Sequence, residues 1–236
     1  MGIEERFERN IGALTREEQE LLSSKKAAII GCGGLGCYSA EFLARLGIGH
    51  LTLVDGDVFS ASNLNRQLNA LETSLGKSKA SIAKERLSLI NPGLSVKTAE
   101  TFLTDENAQE ILKGHDVIID ALDNVKTRLL IEKTASKLGI PLIHGAVEEW
   151  SAQVCTVFPG DFTLSMLYPE GASGPVQDNT NPKPVKISVL AFTPAFCASI
   201  QAAEAVKVLL GKENILRKKL LTASLKENTF DIIDLI

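Results

Sequence analysis

The sequence predicts an α/β protein with a doubly wound, mostly parallel sheet continued by a largely antiparallel C-terminal extension. Three observations carry that expectation. Between residues 27 and 147, short apolar runs alternate with longer segments of helical period, the pattern of strand–helix–strand units. The runs are apolar throughout rather than alternating, as in strands covered on both faces. After residue 150 the runs draw closer together and their connections become short or rich in Pro and Gly.

Taken in order, 4–22 reads as a charged helical segment interrupted near Gly12, and AAIIG (27–31) as a short buried strand. Residues 35–46 have helical apolar spacing and stop at Gly47, a glycine suited to the left-handed turn that ends helices. HLTLVD (50–55) is a second strand, and 76–90 an amphipathic helix with Ile82, Leu87 and Ile90 along one side, closed by Asn91-Pro92. Weak strand character at 94–99, a short helix at 104–113 and the apolar strand DVIIDAL (116–122) follow. A helix at 124–138 ends at Gly139, and PLIHGAV (141–147) is the next strand.

QVCTVF (153–158) and TLSML (163–167), separated by PGDF, read as an antiparallel hairpin. The stretch 168–189, with Pro169, Pro175, Pro182 and Pro184, is a long loop of the kind that serves as a lid, crossing or binding element. A helix over 190–210 is apolar on most faces and belongs in a core or an interface. LLTAS (220–224) and TFDIIDL (229–235) supply two last strands. This divides the chain into an N-terminal helical segment (1–24), a nucleotide-binding part (25–150) and an extension (151–236).

Composition narrows the function. A net charge of -4 argues against nucleic-acid partners, which select a basic face. No stretch approaches the ~18 apolar residues of a membrane span, and the charged start MGIEERFERN is unlike a secretory signal. A cytoplasmic protein is expected. The four cysteines, Cys32, Cys37, Cys155 and Cys197, form no C-x-x-C pair, so no zinc is expected and each reads as a small buried hydrophobe.

The chemistry starts at Gly31-Cys32-Gly33-Gly34-Leu35-Gly36, between a strand and a helix, a Rossmann-like arrangement. Glycines let the chain turn tightly and let backbone N–H groups approach phosphates where the helix dipole favours negative charge. Asp55 closes the next strand, where an acid hydrogen-bonds a ribose hydroxyl. These features alone fit an NAD-dependent dehydrogenase equally well. Asn63, Arg66 and Lys79 follow soon after, and such phosphate-seeking groups suit a triphosphate better than a dinucleotide. Asp123 lies just past the end of a parallel strand, in the crevice where open α/β sheets bind ligands, and is placed to hold Mg²⁺. Asp57 fits either a second ribose or metal ligand or a plain turn residue. The three histidines have weak catalytic credentials; His50 and His115 begin strands, and His144 suits a satisfied core or site-wall position.

Together GCGGLG, LTLVDGDVFSASNLNRQ, GKSKA, LINP, IIDALDN and IPLIHGA, in this order and spacing, resemble the ThiF/MoeB/HesA family of E1-like enzymes, from about Arg6 through Gly211. The resemblance implies one E1-like domain and an ATP site lined by the glycine loop, Asp55, Asp57, Ser62, Asn63, Asn65, Arg66, Lys79 and the Leu122-Asp123-Asn124 segment. It also implies a homodimer in which Arg9, of Arg6-Phe7-Glu8-Arg9, reaches the partner's triphosphate. The implied reaction is attack of a C-terminal carboxylate on the α-phosphate of ATP. The implied partner is a small ubiquitin-like sulfur carrier protein of the ThiS/MoaD type, ending in Gly-Gly, whose C-terminal tail the loop 168–189 is expected to cover or thread. A free C-terminal carboxylate, with a pKa of ~3.5, is already ionised and needs no general base. Cations and Mg²⁺ that stabilise the charge are the main requirement, which makes Arg9, Arg66, Lys79 and Asp123 the expected catalytic set.

The chain also departs from that family. Many members carry two C-x-x-C zinc pairs; the first position here reads TLSMLYPE, and the second pair is missing before Ile236. The loop 168–189 has no cysteine, so adenylylation without a stable thioester is expected, with any sulfur transfer left to another protein. A competing expectation is an E1-like enzyme acting on a small-molecule or tRNA-borne carboxylate, such as a threonylcarbamoyladenosine dehydratase, for which NLNRQLNALETSLGKSKA has some flavour. The acidic charge and the R-F-E-R start weigh against it. A non-catalytic adaptor conflicts with the intact ATP residues.

Overall fold

The computed structural model describes residues 4–169 and 188–235. A 3-10 turn, Glu5–Asn10, leads to α1 (Arg16–Ser24), whose start is fixed by a reciprocal capping box between Thr15 and Glu18. Then come β1 (Lys26–Ile30), α2 (Gly34–Leu46), β2 (His50–Val54), α3 (Lys79–Ile90) and β3 (Ser95–Ala99). Next are α4 (Ala108–Leu112), β4 (Val117–Asp120), α5 (Val125–Leu138), β5 (Leu142–Glu148) and β6 (Ser151–Val157). The chain finishes with α6 (Thr163–Leu167), α7 (Phe192–Leu209), β7 (Lys219–Ser224) and β8 (Thr229–Asp234).

One sheet of order β3-β2-β1-β4-β5-β6-β7-β8 runs through the molecule. The first five strands pair in parallel and the last three add antiparallel, the predicted arrangement. Ile29, Leu53, Ile119 and Ile143 face α2 and α7, while Ile30, Ile118 and Leu142 face α5, all of them buried. Burial on both faces explains why these strands read as unbroken apolar runs. Gly47 and Gly139 end their helices in the left-handed conformation, as predicted.

The predicted hairpin of 153–158 with 163–167 does not form. Residues 163–167 fold as α6, and β6 pairs instead with β5 across the tight turn at Glu149-Trp150. The reason is electrostatic. The Glu132 carboxylate on α5 accepts from the Leu164 and Ser165 amides at 2.5 and 3.0 Å, satisfying donors that the short helix leaves open. The strand expected at 116–122 is also shorter, because the chain leaves the sheet after Asp120 to form the site loop.

Helix α7 lies beneath β4–β6. Its Gln201 side chain donates to the Asp120 and Ile143 carbonyls at 2.8 and 3.2 Å. The crossover loop expected at 168–189 lies outside the described residues except at Tyr168, Pro169, Ser188 and Val189. Among the described residues, no helix is long and apolar enough to cross a membrane.

Candidate active site

A cavity of about 1350 Å³ opens over the C-terminal ends of β1, β2, β4 and β5 and continues across β6 to Thr222 on β7. It exceeds the roughly 300–1,000 Å³ of an ordinary small-molecule pocket, so it has room for more than a nucleotide. One limb lies around the glycine loop. The other lies over the start of the antiparallel half.

In the glycine limb the backbone geometry requires glycine at two places. Gly31 has φ +96°, and a Cβ there would sit 2.7 Å from the Ala121 carbonyl oxygen. A Cβ on Gly36 would sit 1.8 Å from the Gly31 carbonyl oxygen. Gly36 does not line the cavity; it lets α2 close onto the loop, whereas Gly31, Gly33 and Gly34 line it directly. The N-terminus of the 13-residue α2 therefore faces the cavity at Gly34.

Asp55 stands at the end of β2. Its Oδ2 accepts from the Cys32 amide at 2.7 Å and its Oδ1 from the Asp57 amide at 2.8 Å. Each oxygen keeps an acceptor site for a hydroxyl donor. Burial pushes this carboxyl above its ordinary value, against the pull of those two amides. Lys79 opens α3, is 7% exposed, and pairs with Asp57 at 3.1 Å. Asp57 is thus both a turn residue and the partner that holds Lys79 at the cavity wall. Arg66 donates to the Ser62 carbonyl and to Asn65 Oδ1, both at 2.9 Å, and Asn65 donates to the Val189 carbonyl at 3.1 Å. Those contacts tie Ser62, Asn65 and Arg66, all lining the cavity, to the chain returning towards α7. Asn63 differs: it is buried, and its Oδ1 accepts from the Ser60 amide at 3.0 Å, so it shapes the turn rather than facing the cavity.

Past β4, Leu122, Asp123 and Asn124 all line the cavity. Asn124 caps α5 by accepting from the Thr127 amide at 2.9 Å, which leaves Asp123 exposed at the opening. One exposed carboxylate on the cavity shared with the glycine loop is chemically suited to Mg²⁺, which keeps most of its waters. Arg9 is exposed on the N-terminal 3-10 turn and does not line the cavity of its own chain. All four cysteines are buried, and burial pushes their thiols up, Cys37 and Cys197 to about 12. Cys197 sits in the core of α7, as expected from the sequence.

The structure adds contacts that the motifs did not specify. Gln67 packs near Gly33, and Pro194 of α7 packs against Gly34. Phe102 lies against Gly56 and, with Val54, Leu103 and Leu122, forms an apolar wall near Asp55. At the junction of the two limbs is a polar network. His144 Nδ1 lies 2.7 Å from Asp120 Oδ2, and its Nε2 lies 3.2 Å from the Tyr168 hydroxyl. That hydroxyl accepts from Gln153 at 2.7 Å and from Arg128 at 3.2 Å. Arg128 also donates to the Leu122 carbonyl at 2.5 Å, bracing the loop that presents Asp123. These residues come from β4, β5, β6, α5 and the segment after α6, so only folding brings them together.

A doubly wound sheet whose glycine loop opens on the cavity, extended antiparallel over a second limb, is the architecture of an E1-like domain. The chain belongs to the ThiF family, whose model matches residues 7–235. It is 35% identical over 217 residues to the SAMP-activating enzyme E1 of Haloferax volcanii, covering 92% of this chain and 79% of that one. It is 36% identical over 204 residues to the sulfur carrier protein adenylyltransferase of Thermus thermophilus, covering 83% and 73%. It is an E1-like adenylyltransferase. Escherichia coli MccB in complex with MccA-N7isoASN superposes with a TM-score of 0.84 at 22% identity, over 100% of this chain and 72% of that one. The E. coli tRNA N6-threonylcarbamoyladenosine dehydratase with AMP gives 0.74 at 23%, over 87% and 94%. At these identities the likeness to the two structures is one of fold.

Proposed function

We propose that this adenylyltransferase activates the C-terminal glycine carboxylate of a small ubiquitin-like sulfur carrier protein. The products are a carrier acyl-adenylate and pyrophosphate. The observation that carries the proposal is the two-limbed cavity. Its glycine limb has the donors and cations for ATP, and its second limb crosses the half-buried sheet surface towards Thr222, where an extended tail can lie. The sulfur carrier protein adenylyltransferase among its relatives points to the same class of substrate.

In this reading the apolar wall of Val54, Phe102 and Leu103 takes the base, and Asp55 accepts from the ribose hydroxyls. The loop amides, Arg66 and Lys79 hold the phosphates. Asp123, with water, would hold Mg²⁺, which would supply charge neutralisation when bound. The carboxylate enters already ionised, so the residues around it position and shield charge and abstract no proton. Pyrophosphate leaves against the same cations, with Arg9 contributed by a second copy of the chain in a homodimer. With its thiols buried, this subunit releases the adenylate to another protein and forms no thioester.

Hydroxylamine trapping tests the reading. With ATP and Mg²⁺, a ubiquitin-like carrier ending in Gly-Gly is expected to gain a C-terminal hydroxamate, detected by mass spectrometry. A carrier lacking its last glycine is expected not to. Hydroxamate formation on a small-molecule acid or a modified tRNA, with none on any such carrier, overturns it.

A further inference from the structure

We infer that Gln153 is a specificity-determining residue, whose side-chain carbonyl is turned by the Asp120–His144–Tyr168 chain to accept a backbone N–H from the tail of a peptidyl carboxylate. The inference rests on the proposed function for its substrate class and goes beyond it by naming the group that reads the tail.

The argument is a chain of hydrogen-bond necessities. Asp120 is fully buried among donors, its Oδ1 accepting from the Leu122 amide at 3.1 Å and its Oδ2 lying 3.6 Å from Arg128 Nε, so the side chain serves as an acceptor and His144 Nδ1, 2.7 Å away, carries the proton. The Arg128 guanidinium, 3.6 Å from the same Asp120 oxygen, already sets a positive charge beside that carboxylate, and a second one on the fully buried ring would go uncompensated; with burial also holding the imidazole below its ordinary pKa, the ring is neutral and Nε2 is an acceptor. Among the described residues, the one donor to Nε2 is the Tyr168 hydroxyl at 3.2 Å. With its proton spent on His144, the Tyr168 oxygen has only acceptor sites left. Arg128 fills one at 3.2 Å and the Gln153 side chain fills the other at 2.7 Å. Gln153 therefore points its NH₂ at Tyr168. With its amide reversed, Tyr168 would have to donate to Gln153, leaving the buried Nε2 of His144 without a donor, which costs more than the reversal gains.

Tyr168 itself has no capacity left for a substrate. Gln153 does, because its carbonyl oxygen and second N–H are free of intramolecular partners among the described residues. It is partly exposed and lines the second limb, in a cross-strand row with Ala146 on β5 and Thr222 on β7. Small Ala146 leaves open the space on the nucleotide side. An extended tail crossing this row towards the α-phosphate presents alternating N–H and C=O groups, and an oriented amide is the group that pairs with a peptide unit.

The experiment exchanges one atom. A semisynthetic Gly-Gly carrier whose last residue is glycolate keeps the carboxylate but replaces the final N–H with an ester oxygen. The wild-type protein is expected to adenylylate the glycolate carrier with kcat/KM lower by about tenfold, the scale of one hydrogen bond. Gln153→Met and Tyr168→Phe are expected to treat the two carriers alike, with ATP affinity measured on each variant to confirm an intact nucleotide limb. Equal rates for both carriers with wild type, or undiminished discrimination by Gln153→Met, overturn the inference while leaving carrier activation standing. If no carrier is activated, the amide orientation is read directly by ¹⁵N NMR. The Gln153 side-chain pair, assigned by its loss in Gln153→Met, is expected to show one exchange-protected proton that loses protection in Tyr168→Phe. An unprotected pair, or one indifferent to Tyr168→Phe, also overturns it.

Discussion

Replacing Lys79 by methionine separates catalysis from stability. The stem of Lys79 is packed into the start of α3, and methionine preserves most of that packing while deleting the charge. In the folded protein the ammonium, 9% exposed, pairs at 3.1 Å with an Asp57 carboxylate that is 55% exposed. After the substitution Asp57 is solvated by water, so the expected loss of stability is about 1 kcal/mol or less, the scale of an exposed pair. In the proposed mechanism the same charge acts differently. Loss of one preorganised donor from a site where negative charge develops costs about 3 kcal/mol, a factor of 10²–10³ in rate. Urea unfolding and single-turnover adenylate formation on the same preparations measure the two quantities. A Lys79→Met protein of unchanged rate, or one whose rate loss is matched by its loss of folded protein, refutes a direct role for Lys79.

Other outcomes follow from the same geometry. Gly36→Ala places a Cβ 1.8 Å from the Gly31 carbonyl oxygen, so α2 and the glycine loop must part; ATP affinity measured by calorimetry is expected to fall at least tenfold. The four buried, raised-pKa thiols are expected to resist iodoacetamide at neutral pH in the native protein and to react once it is unfolded, counted by intact mass. His144 is held neutral by burial, its pKa lowered on folding, so its contribution to stability is present above the unfolded value of ~6.5 and is lost as pH falls below it. In His144→Asn the fall in urea midpoint between neutral and mildly acidic pH should be shallower than in wild type, with His115, also lowered, supplying the remainder.

What was legible in the sequence follows from how local the physics is. The strands were readable because burial on both faces leaves a continuous apolar run, and Gly47 and Gly139 marked helix ends by their left-handed turns. The glycine loop, Asp55, Arg66, Lys79 and Asp123 could be placed because each sits a fixed distance from a strand end. Residues 163–167 were misread because a short apolar pentad does not say which backbone it takes; a buried carboxylate 31 residues upstream of Thr163, Glu132, decides it. Asn63 was placed with the ligand groups by its neighbours in SNLNRQ, yet its side chain closes the turn locally. The Asp120–His144–Tyr168–Gln153 chain could not be found by spacing, since its members lie on separate elements joined only by register and packing.

The most direct measurement of the central claim is ATP–pyrophosphate exchange with a ubiquitin-like carrier ending in Gly-Gly, with and without its last glycine. Exchange that requires Mg²⁺ and the intact tail is the predicted result. Tight ATP binding with no exchange for any such carrier contradicts it and directs attention to a different carboxylate.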